Sequence, residues 1–125
     1  VTALQRAAQH EAAHAVVARC FGIPVTAVWV RSDGAGRTEV DLSGSSPSAD
    51  AAAMVAGRVW DREFSPLPFL DLACSDLRRF ERRHGLERLY PAERAARRAL
   101  ERHRDAVLAL AARLERERSI AFAEV

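Results

Sequence analysis

The segment His10-Glu11-Ala12-Ala13-His14 sets two imidazoles four residues apart, with a carboxylate beside the first. On a helix, positions i and i+4 lie on one face, so His10 and His14 can offer ring nitrogens to a single metal ion. A glutamate next to such a pair stands where it can take a proton from a water activated by that metal. The spacing therefore predicts a zinc site with Glu11 as general base. A pentapeptide this short also arises by chance in an alanine-rich helix, so the rest of the chain has to supply what the site still needs.

Catalytic zinc takes three protein ligands and keeps one position open. The metzincin extension of the motif requires glycine at position 17 and histidine at position 20, whereas this chain has Val17 and Cys20. Without a glycine break the helix continues and Cys20 points away from the histidine face, which excludes that class. The third ligand must come from later in the chain. Asp61, Glu63, Asp71, Asp76, His84 and His103 are the candidates. Asp76 is favoured modestly, since it falls in the first turn of an expected helix, where a carboxylate is electrostatically favoured. The same place also suits a residue that only complements the helix dipole.

These residues need elements to hold them. Thr2 is a suitable N-cap and no Pro or Gly interrupts the chain before Cys20, so a first helix is expected over Ala3 to Cys20, ending near Gly22-Ile23-Pro24. Val25 to Val30 is β-branched and aromatic, hence a strand. Asp33-Gly34-Ala35-Gly36 makes a turn, and Arg37 to Leu42 returns as a second strand. Ser46-Pro47 reads as an N-cap followed by proline at the first helical position, opening a second helix to about Glu63 with Ala51, Met54, Val55 and Val59 on its buried face. The segment from Phe64 to Leu72 carries Pro66 and Pro68 and is expected to be irregular. A third helix spans Ser75 to Arg83, closed by His84-Gly85. Pro91 opens one long last helix to Glu117, with a stripe of Ala92, Ala96, Ala99, His103, Ala106, Leu110 and Leu114. The expectation is a mainly α (α+β) fold: about four helices with a small β-hairpin or short sheet, in a single domain over residues 1–125.

The bulk properties agree with this. The chain has 49% apolar and 29% charged residues and a formal charge of +2, ordinary for a globular protein and too weak a surplus to imply a polyanion partner. All 19 basic side chains are arginine. No apolar run reaches the length of a membrane span. Cys20 and Cys74 form no C-x-x-C pair and read as small, buried or half-buried residues of a reducing, cytoplasmic setting. The first residue is Val1, which leaves an upstream anchor or domain possible.

Taken together, the motifs resemble the protease domain of the FtsH family, zinc peptidases fused to AAA+ ATPases. His10-Glu11-Ala12-Ala13-His14-Ala15-Val16-Val17-Ala18 is similar to the family's H-E-A-G-H-A-[LV]-V-A. Ala56-Gly57-Arg58 lies where the family has G-G-R-x-A-E-E. Cys74-Ser75-Asp76-Leu77 resembles S-N-D-L, and the segments Leu100–Asp105 and Leu114–Glu117 resemble the closing helix. The resemblance implies His10, His14 and Asp76 as zinc ligands, Glu11 as the base, and Arg37, Thr38, Glu39 and Val40 as the strand against which an extended peptide pairs. It also implies a peptide or unfolded-protein substrate, and either a homo-oligomer or a separate unfoldase partner, since these 125 residues hold no ATPase module. Three departures stand out: Ala13 for glycine, Trp60-Asp61 in place of the A-E-E portion, and an arginine-rich run after Asp76 in place of A-T-x-x-A.

Two other functions compete. A peptidase-like domain that has lost its chemistry can persist as an interaction or regulatory module. Arg78, Arg79, Arg82, Arg83 and Arg88 invite a nucleic-acid-binding reading, but Glu81 and Glu87 are interspersed and no aromatic platform accompanies them, so a solvated or protein-docking face is expected and no nucleic-acid partner. His103 reads as a buried structural histidine, His84 as exposed at a helix end, and Trp29 and Trp60 as core or partly buried aromatics.

Overall fold

Alanine sets the geometry of the central helix. In the computed structural model, which describes residues 2–67 and 74–122 (for Cys74 and Ser75 the backbone alone), α1 spans Ala3–Cys20. Thr2 and Gln5 close a reciprocal capping box at its start, satisfying donors that helix ends otherwise leave open. Buried residues run almost without interruption from Ala7 to Ala18, so α1 is enclosed rather than half-buried. Small side chains let its neighbours approach closely. α2 (Pro47–Val59), α5 (Arg104–Glu117) and two strands pack around it.

The strands are β1 (Val25–Val30) and β2 (Gly36–Val40), antiparallel through a turn at Gly34, with Trp29 opposite Arg37 and Val28 opposite Thr38. A third strand, β3 (Ser119–Ala121), pairs antiparallel with the other side of β1. The sheet order β2-β1-β3 makes β2 an edge. The sequence does not announce β3. It is three residues long, and the reversal that leads into it is made by Arg118 at φ 66°, a left-handed conformation usually reserved for glycine.

α2 begins as expected, with Ser46 capping Ala49 and Pro47 in the first turn. It does not reach Glu63 as an α-helix. Trp60–Phe64 form a π-helical turn, marked by an i→i+5 bond from Ser65 N–H to Trp60 C=O. Such insertions rotate the side chains that follow them and are frequent at functional sites. α3 covers Cys74–His84, followed by a 3₁₀ turn over Leu86–Arg88.

The last helix is two helices rather than one. α4 (Leu89–Arg102) ends where His103 leaves the helical region at φ −117°, ψ 25°, and α5 follows. A straight helix over Pro91–Glu117 would extend about 40 Å, too long to follow the core. The change of direction lets α4 pack on α2 and α5 on α1. It also moves the stripe: Ala92, Ala96 and Leu100 are buried before the break and Val107, Ala111 and Leu114 after it, while Ala106 is exposed. His103, expected in the core, is only partly buried at the corner. Cys20, expected buried or half-buried, is exposed at the last residue of α1. The side chain of Cys74 lies outside the described residues. Trp60 is fully buried and Trp29 partly so. The architecture is mainly helical with a small sheet, as expected.

Candidate metal centre

His10 and His14 project from one face of α1, and the first turn of α3 brings Asp76 to them. His10 Nε2 lies 2.8 Å from Asp76 Oδ2, His14 Nε2 lies 3.2 Å from the same oxygen, and the two Nε2 atoms are 3.2 Å apart. The outward nitrogens are committed elsewhere. His10 donates its Nδ1–H to Asp61 Oδ2 at 2.7 Å, and His14 donates its Nδ1–H to the Ala53 carbonyl at 2.7 Å. Each ring is thereby held in the tautomer that turns an Nε2 lone pair inward. Two lone pairs and a carboxylate oxygen facing one another at these distances repel unless a cation lies among them. A tetrahedron with bonds of about 2.0–2.1 Å has edges near 3.3–3.4 Å, slightly longer than the observed triangle. The donor set therefore fits a zinc ion with a small expansion.

The backbone supplies the room. A Cβ placed on Gly57 of α2 would lie 2.5 Å from His10 Cε1 and 2.6 Å from both Nε2 atoms. Only glycine permits α2 to pass so close to the donor nitrogens. The hint of this in the sequence is a lone glycine inside an alanine-rich helix, where it costs about 1 kcal/mol relative to alanine.

The electrostatics of the cluster favour positive charge. Burial acts to lower the His10 pKa, but its hydrogen bonds to Asp61 and Asp76 outweigh it and push the group up to about 10. His14 is raised too: burial works against this, and Asp76 overcomes both burial and the charge on His10. Asp76 lies far below the usual carboxylate range, because the two histidines outweigh the opposing effect of burial. A proton or a metal ion can provide the positive charge.

Glu11 follows His10 on α1 and is mostly buried. Thr38 Oγ1 lies 2.9 Å from Glu11 Oε1 and 3.0 Å from the Glu11 carbonyl, and its single proton serves one or the other. A Cβ on Gly36 would lie 2.9 Å from Glu11 Cγ, so the start of β2 is glycine where the glutamate must pass. Glu11, the three metal donors and Thr38 all line one cleft of about 910 Å³. Arg37 and Val40 line it as well; Glu39, also expected to contact a peptide, faces solvent and does not.

The other candidate ligands go elsewhere. Asp61 supports His10 from behind, an arrangement that orients a metal-bound histidine and raises its basicity. The π turn produces this placement, and it is anchored by Trp60, whose indole N–H donates to Gln9 Oε1 of α1 at 2.9 Å. Glu63 is turned toward Arg97 of α4, at 2.6 and 3.0 Å, and toward Arg62 at 2.7 Å. Asp71 lies outside the described residues. His84, expected exposed, has a side chain only 5% exposed beside Asp50. His103 is remote from the cluster, which among the described residues comprises His10, His14 and Asp76.

Neither a family model nor a curated protein matches this chain. The functional reading therefore stands on the residues themselves.

Proposed function

We propose that this chain is a zinc-dependent metallopeptidase domain of the FtsH type. The observation that carries the reading is the convergence of His10, His14 and Asp76 on one point, in the same cleft as Glu11. Held by these three residues, zinc supplies Lewis acidity, polarising a carbonyl and bringing the pKa of water at the site to about 7.

The chain's own residues account for the rest. Asp61 and the Ala53 carbonyl keep both imidazoles in the donor tautomer and orientation. Glu11 accepts the proton from the attacking water and passes it to the leaving amine, a transfer that a positioned carboxylate accelerates by about 10²–10⁴-fold. Thr38 steadies the Glu11 carboxylate through Oε1. The free side of β2 offers backbone N–H and C=O groups to an extended peptide, which adds as a further strand along the cleft.

The test measures metal content and peptide hydrolysis together. Wild type is expected to bind one zinc and to cleave. Glu11→Gln is expected to keep the zinc and lose at least about 10²-fold in kcat, and Asp76→Ala to lose both. A Glu11→Gln protein that cleaves as fast as wild type removes the assigned base. Full zinc occupancy in Asp76→Ala removes the third ligand. A zinc-loaded wild type that is silent on a broad peptide mixture leaves a binding module in place of an enzyme.

A further inference from the structure

Beside the metal cleft lies a second cavity of about 420 Å³, and the two share Leu42 and Asp50 in their walls. The wall of the second cavity is cationic. α3 contributes Arg83 and His84 to it, and the 3₁₀ turn contributes Arg88. One turn earlier on α3, Arg79 lines the metal cleft. Residues four apart share a helix face, so guanidinium groups lead from one cavity to the other.

Among the described residues, Asp50 is the carboxylate lining the second cavity. It is buried and accepts a hydrogen bond from Arg83 Nε, with His84 Nε2 at 3.2 Å. Arg83 uses only its Nε in that contact and is half exposed, so its terminal nitrogens remain for another partner. Arg88 is exposed and makes no ion pair among the described residues. One buried negative charge thus faces two permanent positive charges. Asp50 fixes the Arg83 fork in place without neutralising the cavity. A planar guanidinium matches a carboxylate geometrically, and the nearby Asp50 charge disfavours a dianion such as phosphate.

We propose that the second cavity is a carboxylate-binding subsite of the peptide cleft, taking an acidic side chain or the C-terminal carboxylate of a substrate bound at the metal centre. The proposal rests on the peptidase reading above and deepens it by assigning a substrate class. Arg83 and Arg88 are its specificity-determining residues.

The test uses the zinc-loaded full chain and a matched peptide series. One arm moves a single Glu, against Gln, through the positions on either side of the cleaved bond. The other compares a free C-terminal acid with its amide. At one position, or at the C-terminus alone, the carboxylate is expected to raise kcat/KM by about tenfold or more, from charge-assisted hydrogen bonding. Arg88→Glu is expected to invert that ratio and favour Lys over Glu at the same position. Equal kcat/KM for Glu and Gln at every position, and for acid and amide, overturns the subsite while leaving the peptidase reading intact. If no peptide is cleaved, the peptidase reading fails, and binding of the same peptides to the zinc-loaded Glu11→Gln protein decides the subsite. Preference for the carboxylate form, lost in Arg88→Glu, supports it; equal affinity for both forms overturns it.

Discussion

Gly57 controls how near α2 comes to the two imidazoles, and it does so by lacking a side chain. Elsewhere in a helix a glycine-to-alanine change stabilises by about 1 kcal/mol. Here the added methyl would lie 2.5–2.6 Å from atoms of His10 and His14, in the space their donor atoms face. Asp61 acts on the same histidine from the opposite side, through Nδ1 rather than Nε2. Two variants separate these roles when zinc affinity is measured by competition with a chelator of known strength. Gly57→Ala is expected to abolish zinc retention, since the methyl displaces the donors themselves. Asp61→Ala leaves the donors in place and is expected to weaken zinc by about 10–100-fold, the usual effect of losing an outer partner. Gly57→Ala with wild-type zinc affinity would show that the close approach of α2 has no bearing on the site.

At the scale of elements, the π turn over Trp60–Phe64 links the fold to the metal centre, because it aims Asp61 at His10 and Glu63 at α4. The Glu63 carboxyl is held down to about 2, chiefly by its hydrogen bond from Arg97, with Arg62 assisting against partial burial, compared with an ordinary 4.5. A depressed folded-state pKa contributes stability that is full above the unfolded value and is lost as pH falls toward the folded one. Glu63→Gln is therefore expected to lower the melting temperature by about 2–4 °C at pH 7. That gap should narrow as pH falls below 4.5. Melting curves from pH 7 to pH 3 check this, and a gap independent of pH would mean that the ion pairs contribute nothing. The π turn also marks where the sequence stops being readable. The helix spacing of His10 and His14, the Thr2 and Ser46 caps and the β-branched, aromatic run in β1 are local signals, and the elements they imply are present. The i→i+5 shift at Trp60, the corner at His103 and the β3 pairing depend on what packs against them. Asp61 and Asp76 both look like ligands along the chain, and only the tertiary fold puts one in front of the ring and the other behind it.

For the whole molecule, the metal donors come from two distant parts of the chain, His10 and His14 on α1 and Asp76 on α3, so an ion bound there ties these elements together. Binding to the folded form alone stabilises by mass action, about 2.7 kcal/mol at a free metal concentration 100 times Kd. For a chain of 125 residues this corresponds to a rise in melting temperature of about 10 °C, from a typical unfolding entropy per residue. The fold is expected to persist without the ion. Trp60, Phe80, Leu100, Leu114 and the valines around α1 are fully buried, and a chain of this length can bury an adequate core. In the metal-free protein a proton on His10 can take over the positive charge between Asp61 and Asp76. Chelation is thus expected to lower the melting temperature without unfolding the protein at 25 °C, unlike a zinc finger, whose folding energy is the metal's. Circular dichroism melts with a chelator and with increasing free zinc measure this: wild type should shift upward with the logarithm of zinc above Kd, and Asp76→Ala should stay flat. A wild type unfolded at 25 °C in chelator would mean that the core alone does not hold α1 and α3 together. A melting temperature unmoved by saturating zinc would mean that the three donors do not hold the ion.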